Sequence, residues 1–138
     1  MVTAGNDKYM AKPPLVIWDN NTFATGIEEI DSQHKILVGY INDLAWAIDN
    51  KQDKQLMSAL FDKLCDYTQF HFQTEEAYIL ALNKNDCLLH QLQHKHFIEE
   101  LNRIIALGET IKISEELLYF LTDWLLHHIQ IEDKKFFQ

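Results

Sequence analysis

The chain is poor in the residues that break helices. Its 138 residues include four glycines and two prolines, and both prolines lie near the start, at Pro13 and Pro14. From Asp19 to Gln138 no ring interrupts the backbone, so long helices meet no steric stop. Cysteine is equally scarce. Cys65 and Cys87 both fall in helical patterns and read as buried, reduced thiols rather than a disulfide framework. Positive charge is in deficit: 12 Lys and Arg against 21 Asp and Glu leave a net charge of -9, which disfavours nucleic acid and anionic membrane surfaces as partners. No run of about 18 apolar residues is present to span a membrane. The N-terminus has no secretory apolar region. These absences lead to the expectation of a cytoplasmic protein with no membrane insertion.

What remains is ordinary globular material. At 47% hydrophobic residues the chain can bury a real core, and its length suits one domain. Residues 1–14 read as a loose, flexible tail and 15–138 as the domain. Leu15-Val16-Ile17-Trp18, with Phe23 and Ile27, is expected to lay an extended arm across the end of a bundle, with a turn permitted at Gly26. Four helices follow. The first spans about 31–49, capped by Asp31 or Ser32, with His34, Leu37, Val38, Ile41, Leu44, Ala45 and Ile48 on its apolar stripe. The second spans about 54–82, with Asp53 near its cap, and its stripe runs through Leu56, Leu60, Leu64, Tyr67, His71, Glu75 and Tyr78. After a polar break at Asn83-Lys84-Asn85-Asp86, the third spans about 86–107, with His90, His94, Phe97, Leu101 and Ile104 on a buried seam and Gly108 as its C-cap. The fourth starts at Ser114 and carries Leu117, Leu121, Trp124 and His128 inward. Short links between four helices predict an all-α, antiparallel up-down-up-down bundle with one apolar stripe per helix, hence a monomer.

Chemistry enters with the histidines. His71 with Glu75, and His90 with His94, stand four residues apart, so each pair shares a helix face one turn apart. A single histidine on an apolar stripe is usually a satisfied core residue. Five of them on four helices, beside a core glutamate, would be an unusual density of buried polar groups without a ligand. By the same phase, His96, His127 and Glu76 fall off the stripes and read as solvated.

His34, His71, His90, His94, His128, Glu75 and one acid from Glu132-Asp133 exceed the six positions of one octahedral ion, so two ions are implied. With both carboxylates bridging and one solvent oxygen shared, a single coordination position stays open for a small ligand. Zinc prefers four-coordinate sites and lacks redox chemistry. Carboxylate-bridged pairs in helical bundles favour iron or manganese, and iron is the expectation.

These residues resemble the hemerythrin family in its single-domain bacteriohemerythrin form. The resemblance covers roughly Trp18 to Phe136. Its motifs are Trp18-Asp19, Thr25-Gly26-Ile27 and Ile30-Asp31-Ser32-Gln33-His34-Lys35, then His71-Phe72 and Thr74-Glu75-Glu76. His90, His94 and Phe97 match H-x-x-x-H-x-x-F, and Trp124-Leu125, His128-Ile129 and Asp133 match W-L-x-x-H-I-x-x-x-D. The resemblance implies a di-iron centre with a bridging oxo or hydroxo group. His90, His94 and His128 would hold one iron, His34 and His71 the other, with Glu75 and Asp133 bridging. Oxygen would bind at the second iron. The chain departs from the family at Lys84-Asn85, where Tyr-Pro is usual, and at Ile79, where Met is frequent. On an ideal α-helix His128 and Asp133 lie about 140° out of line, and Glu132 would point better; a local π-type widening would bring Asp133 round.

The functional expectation is reversible oxygen binding for carriage, storage or delivery, without enzymatic turnover. O2 is the partner, with a protein receiving oxygen or a signal as a further one. Leu37, Phe72, Trp124 and Ile129 lie within a turn of ligands and would wall a dry oxygen pocket. Rival readings are an oxygen or redox sensor, a di-iron oxidase or peroxidase, and an iron buffer.

Overall fold

The computed structural model describes residues 16–82, 87–107, 111–133 and 137. In chain order its elements are a single helical turn, α1 (Asn20–Phe23), and four long helices: α2 (Glu28–Asp49), α3 (Lys54–Leu82), α4 (Cys87–Ala106) and α5 (Ile111–Phe120). The last runs on into two π-helical stretches, Leu121–Leu125 and His128–Asp133. α2 packs on α3, α3 on α4, and α5 against both α2 and α4, so the long helices close a ring around one core. This is the all-α bundle that the stripes predict.

The core divides along the bundle axis. Leu44, Phe61, Leu64, Leu101, Ile104 and Leu117 are fully buried and fill one half with hydrocarbon. Each such side chain contributes about 1.5–3 kcal/mol when removed from water. The other half holds His34, His71, Glu75, His90, His94, His128 and Asp133, all buried. The chain reverses after α2 through Lys51, at φ 49°, while the N–H groups of Asn50, Lys51 and Gln52 bond back to Trp46, Ile48 and Ala47 carbonyls.

Several local expectations are corrected. The arm is not wholly extended. Asp19 caps α1, its carboxylate accepting from the Asn21 N–H at 3.0 Å and the Thr22 hydroxyl at 3.2 Å. Ile17 faces solvent at 71% exposure, while Val16 and Trp18 pack on the core and Phe23 is buried. Val16 is tied to α2 by paired hydrogen bonds with the Asn42 amide, each 2.9 Å.

α2 begins at Glu28, a turn before the expected caps. Asp31 therefore lies inside the first turn and reaches back. Its carboxylate accepts from the Thr25 N–H (2.7 Å), the Thr25 hydroxyl (2.8 Å) and the Gly26 N–H (3.2 Å), with Gly26 at φ +91°. Further along, Ala47 is buried where Ala45 and Ile48 are only partly so.

In α3 the expected stripe starts one residue out of phase. Two successive steps of four drift around the helix, so Leu56 is 37% exposed and Met57 and Phe61 take the inward positions. Tyr78 is partly buried and donates its hydroxyl to Glu29 at 2.7 Å, joining the end of α3 to the start of α2. The α4 seam is buried as expected from His90 to Ile104. α5 starts at Ile111, so Ser114 is a buried residue within the helix rather than its cap. Cys65 is a free, partly buried thiol. The expected tail 1–14, Leu15, the Asn83–Asp86 break with Lys84-Asn85, the Cys87 side chain and Gly108 lie outside the described residues.

Asp31→Ala removes three hydrogen bonds to one carboxylate, so the bundle is expected to lose about 2 kcal/mol in urea denaturation at fixed metal content. A loss under ~0.5 kcal/mol would show that the loop is held by its packing alone.

Candidate metal centre

Each long helix delivers part of the polar half. α2 brings His34, α3 brings His71 and Glu75 one turn apart, and α4 brings His90 and His94 in the same way. α5 brings His128 and Asp133 within its π-helical stretch. The i→i+5 pattern of that stretch brings the two into register where an α-helix would part them. Asp133 is fully buried, with Oδ1 3.0 Å from His128 Nε2. Glu132 turns instead to an outer pocket that it shares with Gln93, Asp123, Trp124, His127 and His128. His96 and His127 are exposed, as their phase predicts.

The two carboxylates face two ways. Glu75 Oε2 lies 3.1 Å from His34 Nε2 and 3.3 Å from His71 Nε2, and Asp133 Oδ2 lies 3.1 Å from His34 Nε2. Their other oxygens face the opposite group. Glu75 Oε1 is 3.0 Å from His94 Nε2 and 3.7 Å from His90 Nε2, while Asp133 Oδ1 is 2.8 Å from His90 Nε2 and 3.0 Å from His128 Nε2. Two donor groups result, each with its ligand atoms within 4.8 Å of one another: His34, His71, Glu75 and Asp133, and Glu75, His90, His94, His128 and Asp133. They share both carboxylates.

Hydrogen bonds behind the rings set which nitrogen faces inward. His71 Nδ1 meets Gln33 Oε1 at 2.7 Å. The Gln33 amide is itself oriented, because its Nε2 donates to Thr74 Oγ1 (3.2 Å) and the Thr74 hydroxyl donates to the Phe70 carbonyl (3.2 Å). Its carbonyl oxygen must therefore accept from His71 Nδ1–H. His94 Nδ1 likewise donates to Glu76 Oε2 at 3.0 Å. Both Nε2 atoms are left with lone pairs aimed at carboxylate oxygens.

Acceptor facing acceptor is repulsive in a buried site unless a cation lies between. Glu75 Oε1 and both Asp133 oxygens are buried without a hydrogen-bond partner, which fits atoms that would ligate a cation. The donor set of imidazole and carboxylate fits a borderline transition metal. Without metal, protons serve the same need. Burial opposes charging His34 and His90, yet Asp133 and Glu75 outweigh it and raise each to about 9. Burial also works against ionising Glu75, but His71, His34 and His90 hold it well below the usual carboxylate range. Asp133 is lowered too: burial and Glu75 oppose its charge, and His128 and His34 overcome them. His71 moves the other way, pushed down by burial.

Aromatic rings close the three-histidine side. Phe72 stacks flat on His94, centroids 3.8 Å apart at 3°, and Trp124 stacks on His128 at 4.7 Å and 13°. Leu37 and Ile129 are fully buried, Phe72 is buried, and Trp124 is partly buried.

Two supporting residues escaped the sequence reading. Glu76 was expected to be solvated; its backbone phase is indeed off the stripe, but its side chain is 31% exposed and long enough to reach the outer edge of His94. Gln33 stands inside the quoted motif without a role. Its position beside His34, on a helix face that turns toward α3, is the signal that could have found it.

The Hemerythrin HHE cation binding domain matches residues 25–138. The chain belongs to the hemerythrin family. It is 30% identical over 125 residues to a bacteriohemerythrin of Stenotrophomonas maltophilia (strain R551-3), covering 88% of this chain and 79% of that one. A hemerythrin-like protein of Naegleria gruberi is 32% identical over 120 residues, covering 86% and 88%. A crystal structure of wild-type hemerythrin superposes with a TM-score of 0.79 at 24% identity, covering 88% of this chain and 95% of that chain, which shows the shared fold. Hemerythrins hold non-heme iron in a helical bundle, and the buried cluster of this hemerythrin chain is able to hold a metal. Among the described residues no helix is long and apolar enough to cross a membrane.

Two outcomes test this geometry. Asp133→Ala should abolish stable metal binding and Glu132→Ala should spare it; the reverse would place the acid on the wrong residue. At pH 7 the metal-free His34 and His90, raised to about 9, carry protons that a metal must displace. Loading should therefore acidify a weakly buffered solution, and loading without proton release would contradict the charge balance of the cluster.

Proposed function

We propose that the chain binds oxygen reversibly at a non-heme di-iron centre, for carriage, storage or delivery, and does not act as an enzyme. The observation that carries this reading is the two-sided use of Glu75 and Asp133, each presenting one oxygen to either histidine group. Carboxylates placed so would bridge two ions. His90, His94 and His128 would hold one, and His34 and His71 the other.

The two sides are unequal. The three-histidine side offers five protein donors and the two-histidine side four. The two-histidine side, one protein donor short of the other, is where a small ligand would enter. The pair, when bound and ferrous, would supply the electrons that make oxygen binding possible.

The chain's own contribution is enclosure and charge balance. Five neutral imidazoles and two carboxylates stabilise highly oxidised iron less than a carboxylate-rich shell would, which favours binding over oxidative turnover. Leu37, Phe72, Trp124 and Ile129 would form the dry wall of the centre, Phe72 between His94 and His71 and Trp124 on the three-histidine side against His128. Charged reduced oxygen species need water in order to leave, so an apolar wall would slow their escape.

The test is anaerobic reduction followed by optical spectra on adding and then removing oxygen. A visible band that appears and disappears with oxygen is the expected result. Irreversible oxidation, or steady oxygen consumption with a reductant, would favour sensor or oxidase chemistry instead. Leu37→Thr is expected to hasten oxidation of the reduced protein in air; an unchanged rate would remove Leu37 from the pocket wall.

A further inference from the structure

The two halves of the centre differ in what stands behind their histidines. On the three-histidine side, His94 Nδ1 donates to a carboxylate, Glu76 Oε2, at 3.0 Å. On the two-histidine side, His71 Nδ1 donates to a neutral amide oxygen, Gln33 Oε1, at 2.7 Å. The second ring on that side, His34, has its Nδ1 buried with no hydrogen-bond partner. Both supporting bonds cross between helices: Glu76 reaches from α3 to α4, and Gln33 from α2 to α3.

A carboxylate draws the Nδ1 proton toward itself and makes the opposite Nε2 a stronger electron donor; an amide oxygen orients the ring with much less of this effect. A stronger donor favours the more highly charged, oxidised metal. We propose that Glu76 is a positioning residue that biases the di-iron pair toward its oxidised state through His94, and that Gln33 is its neutral counterpart, keeping the oxygen-accepting side easier to hold reduced. The inference rests on the di-iron reading above and deepens it.

The contrast is built into local structure. Gln33 is buried and its amide is locked in one orientation by Thr74, whose hydroxyl is committed to the Phe70 carbonyl. Glu76 keeps 31% of its side chain in contact with solvent, so its charge stays hydrated. Solvent screens its longer-range field. Its influence on the metal therefore runs through the short bond to His94 and the flat ring that Phe72 holds in place.

The experiment is anaerobic redox titration of the iron-loaded protein, with iron counted per chain, for wild type, Glu76→Gln and Gln33→Glu. Glu76→Gln keeps an acceptor at the same reach but removes the charge. It is expected to raise the midpoint potential, shifting the ferric-to-ferrous ratio toward ferrous, and to weaken iron retention by on the order of 10-fold. Gln33→Glu is expected to shift the potential in the opposite direction. Both variants at the wild-type potential with iron retained would overturn the proposal and leave Glu76 and Gln33 as supports of ring orientation only. Should Glu76→Gln fail to hold iron, Gln33→Glu decides alone: a lowered potential supports the proposal and an unchanged one defeats it. The readout uses no oxygen. A wild-type protein that loads two irons but gives no reversible oxygen band would defeat the oxygen reading without touching this one.

Discussion

Two carboxylates buried among imidazole lone pairs form the constraint on which the rest of the molecule depends. Glu75 and Asp133 are both fully buried, and among the described residues the nitrogens that approach their oxygens belong to histidines. A buried anion without a countercharge is among the costliest features a fold can contain. Two lying side by side need positive charge between them and the histidines, whether supplied by protons or by metal ions. The hydrogen bonds behind the rings decide which is preferred. Gln33 and Glu76 hold the Nδ1 protons of His71 and His94 and turn their Nε2 lone pairs inward. This arrangement suits a metal better than a proton.

Such a site destabilises the half of the bundle that contains it, and the opposite half compensates. Phe61, Leu64, Leu101, Ile104 and Leu117 form a close-packed apolar section, and the buried Thr68 hydroxyl at its edge is satisfied by the Leu64 carbonyl. The aromatic residues mediate between the halves. Phe72 lies flat against His94 on one side and edge-on to Phe97 on the other, so one ring belongs both to the metal site and to the hydrocarbon core. Trp124 does the same between His128 and Phe97. Rigid packing behind the ligands keeps them in place when the cation is absent, which is what gives a preformed site its selectivity.

Much of this was legible in the sequence because helical periodicity and metal spacing obey the same geometry. Residues four apart share a face whether that face is apolar or ligating, so the phase of His90, His94, Phe97, Leu101 and Ile104 identified seam and ligands together. The histidine cluster with Glu75 and one acid from Glu132-Asp133 followed from the spacing, whereas Asp133 and the π-type widening it needs followed from the resemblance to the family motif, since an ideal α-helix favours Glu132. What stayed hidden depended on side-chain reach rather than backbone phase. Glu76 sits off the stripe by about 100° and still reaches His94. Asp31 was expected to cap the helix, but it lies inside the first turn and reaches backward over Gly26, since loop conformation is set by contacts that no single stretch encodes. Leu56 was misplaced because steps of four drift over several turns, and only the packed partner helix fixes the phase.

The central claim is that Glu75 and Asp133 join two metal ions rather than flanking one. X-ray absorption at the iron edge of the loaded protein, with iron counted per chain, tests it most directly. The account predicts two irons per chain and a metal scatterer at about 3.5 Å from each. One iron per chain, or two with no metal–metal scattering, would contradict it.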